Sequence, residues 1–200
     1  MEEMKIAVLI DAENISSKYA SIILQEASSM GNLIYKRIYG NWTTPALNTW
    51  KKELLDNAIQ PIQQYSNTVG KNSSDSALII DAMDLLYQKR LDAFCIVSSD
   101  SDFTRLAARL RESNMIVVGM GRNQTAVSFR HACTKFVNIE YLYKLQRSKN
   151  GDDADIETDD VEEIEEQSPV DAENIETTVS LRDVGAVMGG IIHTNDNRGR

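Results

Sequence analysis

Six short apolar runs, each separated from the next by a segment with helical periodicity, constrain this chain more than any other feature. Lys5-Ile-Ala-Val-Leu-Ile10 is continuously apolar after its lysine, as expected of a parallel strand buried on both faces. Ser16–Met30 then spaces Tyr19, Ile22, Ile23 and Ala27 along one helix face, and Gly31 is a natural stop. Asn32–Tyr39 reads as a second strand, and Pro45 opens a helix through Trp50, Leu54, Leu55 and Ala58. Gln60–Tyr65 reads as a third strand. A long helix follows, capped by Ser73 or Ser74, through Leu78, Ile79, Ala82, Leu85 and Leu86. Asp92–Ser98 and Met115–Gly119 are further strands around a helix at Asp102–Glu112. A helix at Thr125–Cys133, a strand at Lys135–Asn138 and a helix at Ile139–Arg147 complete the body. Strand alternating with helix predicts an α/β fold on a mainly parallel sheet with right-handed crossovers.

The net charge of −9 conceals an uneven distribution. Residues 150–178 carry thirteen Asp or Glu and neither Lys nor Arg, which predicts a solvated, unstructured acidic linker. Residues 1–149 hold 18 Lys and Arg against 15 Asp and Glu, a body of about +3. The expected division is therefore a domain over 1–147, a linker over 148–178 and a tail over 179–200. The pentapeptide DAENI occurs at Asp11–Ile15 and again at Asp171–Ile175. Only the first copy follows an apolar run able to hold it, so the second reads as coincidence.

Several classes fall away on residue content. No run reaches the ~20 apolar residues that span a bilayer, and the acidic start is unlike a signal peptide, so a cytoplasmic location is expected. Cys95 and Cys133 lie within apolar segments and read as reduced core thiols. Two histidines, His131 and His193, are too few for a nitrogen-rich zinc site. Gly70-Lys71 is followed by Asn72, and Tyr65 stands where a phosphate loop needs its first glycine. Gly119-Met-Gly121 lacks the third glycine of a dinucleotide fingerprint. Glu13 stands where aspartyl-nucleophile phosphatases have a second aspartate.

What remains is acidic. Ligands of open parallel sheets bind beyond the carboxyl ends of the strands, where strand order reverses. Asp11 closes the first strand, and Asp100 and Asp102 follow the fourth in Ser98-Ser99-Asp100-Ser101-Asp102. If the fourth strand lies beside the first, these acids face one another, with Asp75 entering from the first turn of the long helix. Asn14, three residues after Asp11, points toward the same hollow. Two carboxylates about 4 Å apart repel by roughly 4 kcal/mol at an effective dielectric of about 20. A divalent cation removes that cost, and oxygen-only ligands select Mg²⁺ or Mn²⁺. Such a metal activates water and steadies charge on a phosphodiester. Singly, Asp11 also reads as a helix cap, Asp102 as a first-turn charge, and Asp75 sits where caps also sit. Asp81 is off the face of Asp75 at 3.6 residues per turn, and Asp84 reads as solvated.

The ordered segments VLIDAEN, YGNW, GKNSSDSALIIDAMDLL, FCIVSSDSDF and VVGMG resemble the NYN domain over about residues 4–145. This is a branch of the PIN-like ribonucleases found in LabA/DUF88-type bacterial proteins and in limkain-type eukaryotic regulators. The resemblance implies a three-layer α/β/α PIN-like (Rossmannoid) fold and a Mg²⁺- or Mn²⁺-dependent ribonuclease acting as an endonuclease. Its acidic positions fall on Asp11, Asp75, Asp100 and Asp102, as catalytic and metal-binding residues, with Asn14 and Asp81 in support. Ser99 replaces a glycine common in the third motif. Lys71, Arg37, Arg122 and Arg130 are candidates for the backbone of single-stranded RNA, and Tyr39 and Trp42 for stacking a base. For both aromatics the competing reading is packing at a helix–sheet edge. The competing function is a catalytically weak RNA-binding adaptor. Association into a homodimer is left open. Val179–Met188 resembles the opening helix of an OST-HTH (LOTUS) domain.

Overall fold

The computed structural model describes residues 3–65 and 73–150. The acidic linker, the second DAENI, the OST-HTH resemblance and Lys71 lie outside the described residues.

The strands are β1 (Lys5–Asp11), β2 (Asn32–Gly40), β3 (Gln60–Gln63), β4 (Ala93–Val97), β5 (Ile116–Gly121) and β6 (Lys135–Asn138). They form one parallel sheet in the order β3-β2-β1-β4-β5-β6. Apolar runs buried on both faces dictate this arrangement. All residues of β1 from Ile6 to Asp11 are buried, and so is every residue of β4. Each fully buried Ile, Leu or Val contributes roughly 1.5–3 kcal/mol of transfer free energy, so the two central strands anchor the domain.

Six helices cover the two faces. They are α1 (Ala20–Met30), α2 (Trp50–Asp56), α3 (Ser73–Tyr87), α4 (Thr104–Glu112), α5 (Val127–Ala132) and α6 (Ile139–Asn150). Alternation along β1 divides the core. Ile6, Val8 and Ile10 pack with Ile23 and Ala27 of α1, Trp50 of α2 and Ile139 of α6. Ala7 and Leu9 face Leu78, Ala82 and Leu85 of α3, Leu106 and Leu110 of α4, and Phe129 of α5. The result is a three-layer α/β/α sandwich, as the resemblance implied.

Several element ends depart from the periodicity. The helices expected from Ser16, Pro45 and Asp102 each begin with a 3-10 turn, at Ser17–Tyr19, Pro45–Thr49 and Ser101–Phe103, before the α-helix proper. β5 runs on to Gly121 rather than ending at Gly119, and β3 ends at Gln63 rather than Tyr65. The extension of β5 depends on Gly121, where an added Cβ would sit 2.7 Å from the Ser98 carbonyl. Only glycine lets the loop after β4 lie this close to the end of β5. Ser98 N donates to the Met120 carbonyl at 3.0 Å and secures the same contact.

Candidate metal centre

The sheet reverses direction of winding at β1 and β4, which are hydrogen-bonded neighbours. Asp11 at the end of β1 and the Ser98–Asp102 segment after β4 therefore emerge side by side at one carboxyl edge. Helix α3 brings Asp75 to them in its first turn. Asp75, Asp100 and Asp102 each offer a carboxylate oxygen within 4.8 Å of the others, the one such acidic group among the described residues. Asp75 is buried, Asp100 partly buried and Asp102 exposed, so the cluster is closed at one side and open to solvent at the other.

Local structure sets each carboxylate. Asp100 caps the 3-10 turn, accepting from the Asp102 amide through Oδ1 at 2.9 Å. The same bond fixes the orientation of this carboxylate beside its neighbours. Ser98, fully buried, was missed at the level of sequence. Its hydroxyl donates to Asp11 Oδ2 at 2.9 Å and accepts from the Asp100 amide at 3.1 Å, tying the ends of β1 and β4 together. The available signal was a hydroxyl at a strand end two residues before an acid. Ser99 is not among the residues of positive φ, and its Oγ accepts from the Arg122 amide at 3.0 Å. Serine therefore replaces glycine here without backbone strain.

Asp11 stands beside the group of three rather than within it. Oδ1 accepts from the amides of Glu13 and Asn14 at 3.1 and 3.4 Å, while Oδ2 accepts from Asn14 Nδ2 at 2.6 Å and from Ser98. Burial raises its pKa, and these hydrogen bonds offset part of that rise. Asn14 is thus a partner of Asp11. Asp75 is the most perturbed acid of the site. Burial and then the charges of Asp11, Asp100, Asp102 and Glu13 push its pKa up to about 7. Such a concentration of negative charge, made only of oxygen donors, fits a hard divalent cation and suits zinc or copper poorly.

Asp81 faces elsewhere. It accepts from the Arg37 guanidinium and from the Tyr39 hydroxyl, two residues of β2 that share a sheet face. This corrects two expectations. Tyr39 is completely buried, with its hydroxyl pushed far above the ordinary phenol range by burial and by Asp81, so its ring stacks on no base. The Arg37 charge is committed to Asp81, with its guanidinium over the Tyr35 ring at 5.0 Å. Arg122 adjoins the Asp100 loop through its amide, which donates to Ser99 Oγ. Arg122 pairs with Glu140 at 3.0 Å while remaining partly exposed. Burial alone would raise Glu140, but the Asn123 amide and Arg122 hold it below the usual range. Arg130 is exposed, over Phe136 at 5.1 Å. Trp42 is half-buried and donates its ring N–H to the Ile62 carbonyl at 3.0 Å. Cys95 and Cys133 are buried and free, and burial raises both thiols, Cys133 to about 11, so neither supplies a thiolate.

With this geometry in place, comparison with known proteins settles the family. The family model described as the NYN domain matches residues 5–140. The chain belongs to the NYN domain family. An uncharacterized protein of Methanocaldococcus jannaschii is 23% identical over 152 residues, covering 74% of this chain and 60% of that protein's length. A crystal structure of a protein of unknown function from Vibrio parahaemolyticus shares the fold, with a TM-score of 0.58 at 19% identity. It covers 69% of this chain and 94% of its own. The matched residues span the whole sheet and the four acids, and the family is compatible with metal-dependent nuclease chemistry. Among the described residues no helix is long and apolar enough to cross a membrane.

Proposed function

We propose that the NYN domain of this chain is a Mg²⁺- or Mn²⁺-dependent ribonuclease that cleaves phosphodiester bonds within single-stranded RNA. The observation that carries this reading is the convergence of Asp75, Asp100 and Asp102 at the switch point of a parallel sheet, with Asp11 alongside. Asp75, Asp100 and Asp102 would hold the metal, and Asp11 would join or orient them. The metal, when bound, supplies an activated water and stabilises charge on the phosphate.

The chain's own residues do the rest. Burial of Asp11 and Asp75 excludes water from the inner side of the site. Ser98 and Asn14 fix the Asp11 carboxylate, and the Asp102 amide fixes that of Asp100. Asp75, at about 7 in the metal-free protein, would have to release its proton to hold a cation, so affinity would rise with pH through neutrality. Arg122, whose amide meets Ser99 Oγ next to Asp100, and the exposed Arg130 would attract phosphates of the strand. The body over 1–147 is the catalytic domain in this account, and Asp81 supports it by fixing α3.

Labelled single-stranded RNA incubated with the full chain and Mn²⁺, Mg²⁺ or chelator tests the proposal, with an Asp100→Asn variant alongside. Metal-dependent cleavage, reduced on the order of a hundredfold or more in the variant, is the expected result. RNA binding without cleavage in either metal would replace it with the adaptor reading.

A further inference from the structure

An apolar pocket of about 310 Å³ opens beside Trp42, walled by Leu47, Leu54 and Pro61 and rimmed by Lys51 and Gln63. It lies at the carboxyl ends of β2 and β3, the same edge of the sheet that carries the acids. Its link to the site is direct. Asp11 pairs in register with Tyr39, and Ala12 N donates to the Tyr39 carbonyl at 3.0 Å. Trp42 follows only three residues later. Neighbouring parallel strands are about 4.8 Å apart, so the pocket lies roughly 10 Å along the edge from β1.

Trp42 packs partly against the core and also lines the pocket. Trp42 is held by two bonds, its ring N–H donating to the Ile62 carbonyl at 3.0 Å and its backbone N–H to Gln63 Oε1 at 3.0 Å. Gln63 Nε2 donates in turn to Asn41 Oδ1 at 3.0 Å. An aromatic wall with its polar atom already satisfied offers a π-face and no unmet donor. Gly40 keeps the wall close, since an added Cβ would meet Leu47 Cδ1 at 2.7 Å. Among the described residues no carboxylate lines the pocket, and the exposed Lys51 gives its rim a positive charge. A larger cavity, of about 810 Å³, lies between α1 and the start of β2 and is lined by Ser21, Gln25, Lys36 and Asp56. It opens toward the amino ends of the strands and shares no ligand with the acids.

We infer that the pocket beside Trp42 is the subsite for one unpaired nucleobase of the RNA strand that reaches the aspartate cluster, an inference that rests on the ribonuclease reading. The base stacks on the indole, and Lys51 attracts the adjoining phosphate. Every base has a π-face, so the subsite selects unpaired over paired nucleotides rather than one base over another. It thereby holds the strand at a fixed distance from the bond that is cut.

The test uses the full chain. The cleavage-silent Asp100→Asn variant is titrated in chelator with a short unpaired oligoribonucleotide, and tryptophan emission and fluorescence anisotropy are read together. Trp50, 1% exposed, supplies an unresponsive background. Emission is expected to be quenched as RNA binds, with the quench lost in a Trp42→Phe background. Lys51→Glu, an exposed change, is expected to weaken binding about tenfold. A substrate series with a single abasic nucleotide moved along the strand is expected to raise KM at one fixed position from the cut and leave kcat unchanged. Binding without quenching, or a flat abasic series on a substrate that is cleaved, overturns the subsite while leaving the nuclease reading intact. Quenching without cleavage supports the subsite and counts against the nuclease reading. RNA that does not bind at all overturns both.

Discussion

Asp75 and Asp81 stand on the same helix in opposite electrostatic surroundings. Asp81 meets the Arg37 guanidinium and the Tyr39 hydroxyl, so the protein itself supplies its counter-charge. Asp75 meets Asp11, Asp100, Asp102 and Glu13, and its pKa rises to about 7 in consequence. A folding requirement alone would remove the second arrangement, because like charges in a half-closed hollow cost several kcal/mol at an effective dielectric of about 20. The first arrangement stabilises the fold, and under the proposed function the second is sustained by a cation from solution. The two acids thus differ in their partners, Asp81 facing positive charge and a hydroxyl and Asp75 facing other carboxylates.

Exchanging each acid for its amide breaks the comparison most severely. Asp81→Asn leaves Arg37 short of its carboxylate in a mostly enclosed place, and a loss of roughly 1–3 kcal/mol is expected in urea unfolding. Asp75→Asn, in chelator, is expected to leave stability unchanged or to raise it by about 1 kcal/mol, because repulsion is relieved. Equal losses for the two variants would show that Asp75 is a structural residue like its neighbour.

The pH dependence sharpens the same contrast. Asp75 has a raised pKa in the folded, metal-free protein, so the native state holds a proton that the unfolded chain releases near pH 4. Its contribution to stability is therefore greatest at low pH and is lost as pH rises toward 7, with no further change above that. Thermal melts in chelator across pH 4.5 to 8 should show this decline for the wild type and a shallower one for Asp75→Asn, whereas saturating Mn²⁺ should remove it. A slope that Asp75→Asn leaves untouched would assign it to another group.

The smallest effect concerns the buried hydroxyl between the two central strands. Ser98→Ala removes a donor to Asp11 and an acceptor for the Asp100 amide. It is expected to cost about 1–2 kcal/mol and to lower cleavage about tenfold by loosening two carboxylates. Loss of stability alone, with cleavage intact, would make Ser98 a tie between strands and nothing more.

Much of this was legible in the chain. Doubly buried strands have to be apolar throughout, and this made β1 and β4 visible, with Asp11 and Asp100 at their ends. The pairing of β1 with β4 was a topological expectation that the sheet order bears out. The roles of Arg37 and Tyr39 were not read, although alternation puts Tyr35, Arg37 and Tyr39 on one face of β2. A charged residue on a buried strand face demands a partner, and the one available lay in a helix more than forty residues away at Asp81. Ser98 escaped for a related reason, since its bonds join two segments that come together only in the folded sheet. The 3-10 openings of three helices escaped because 3-10 and α turns share much the same apolar spacing over so few residues.

Direct measurement of Mn²⁺ binding, by the loss of the free-ion paramagnetic resonance signal, bears most closely on the claim that the Asp75 cluster is a metal centre. Wild-type protein and Asp81→Asn, provided that its fold is intact by circular dichroism, should both take up Mn²⁺, and more tightly at pH 8 than at pH 6. Asp75→Asn should bind on the order of a hundredfold more weakly. Uptake by Asp75→Asn equal to that of the wild type would contradict the account.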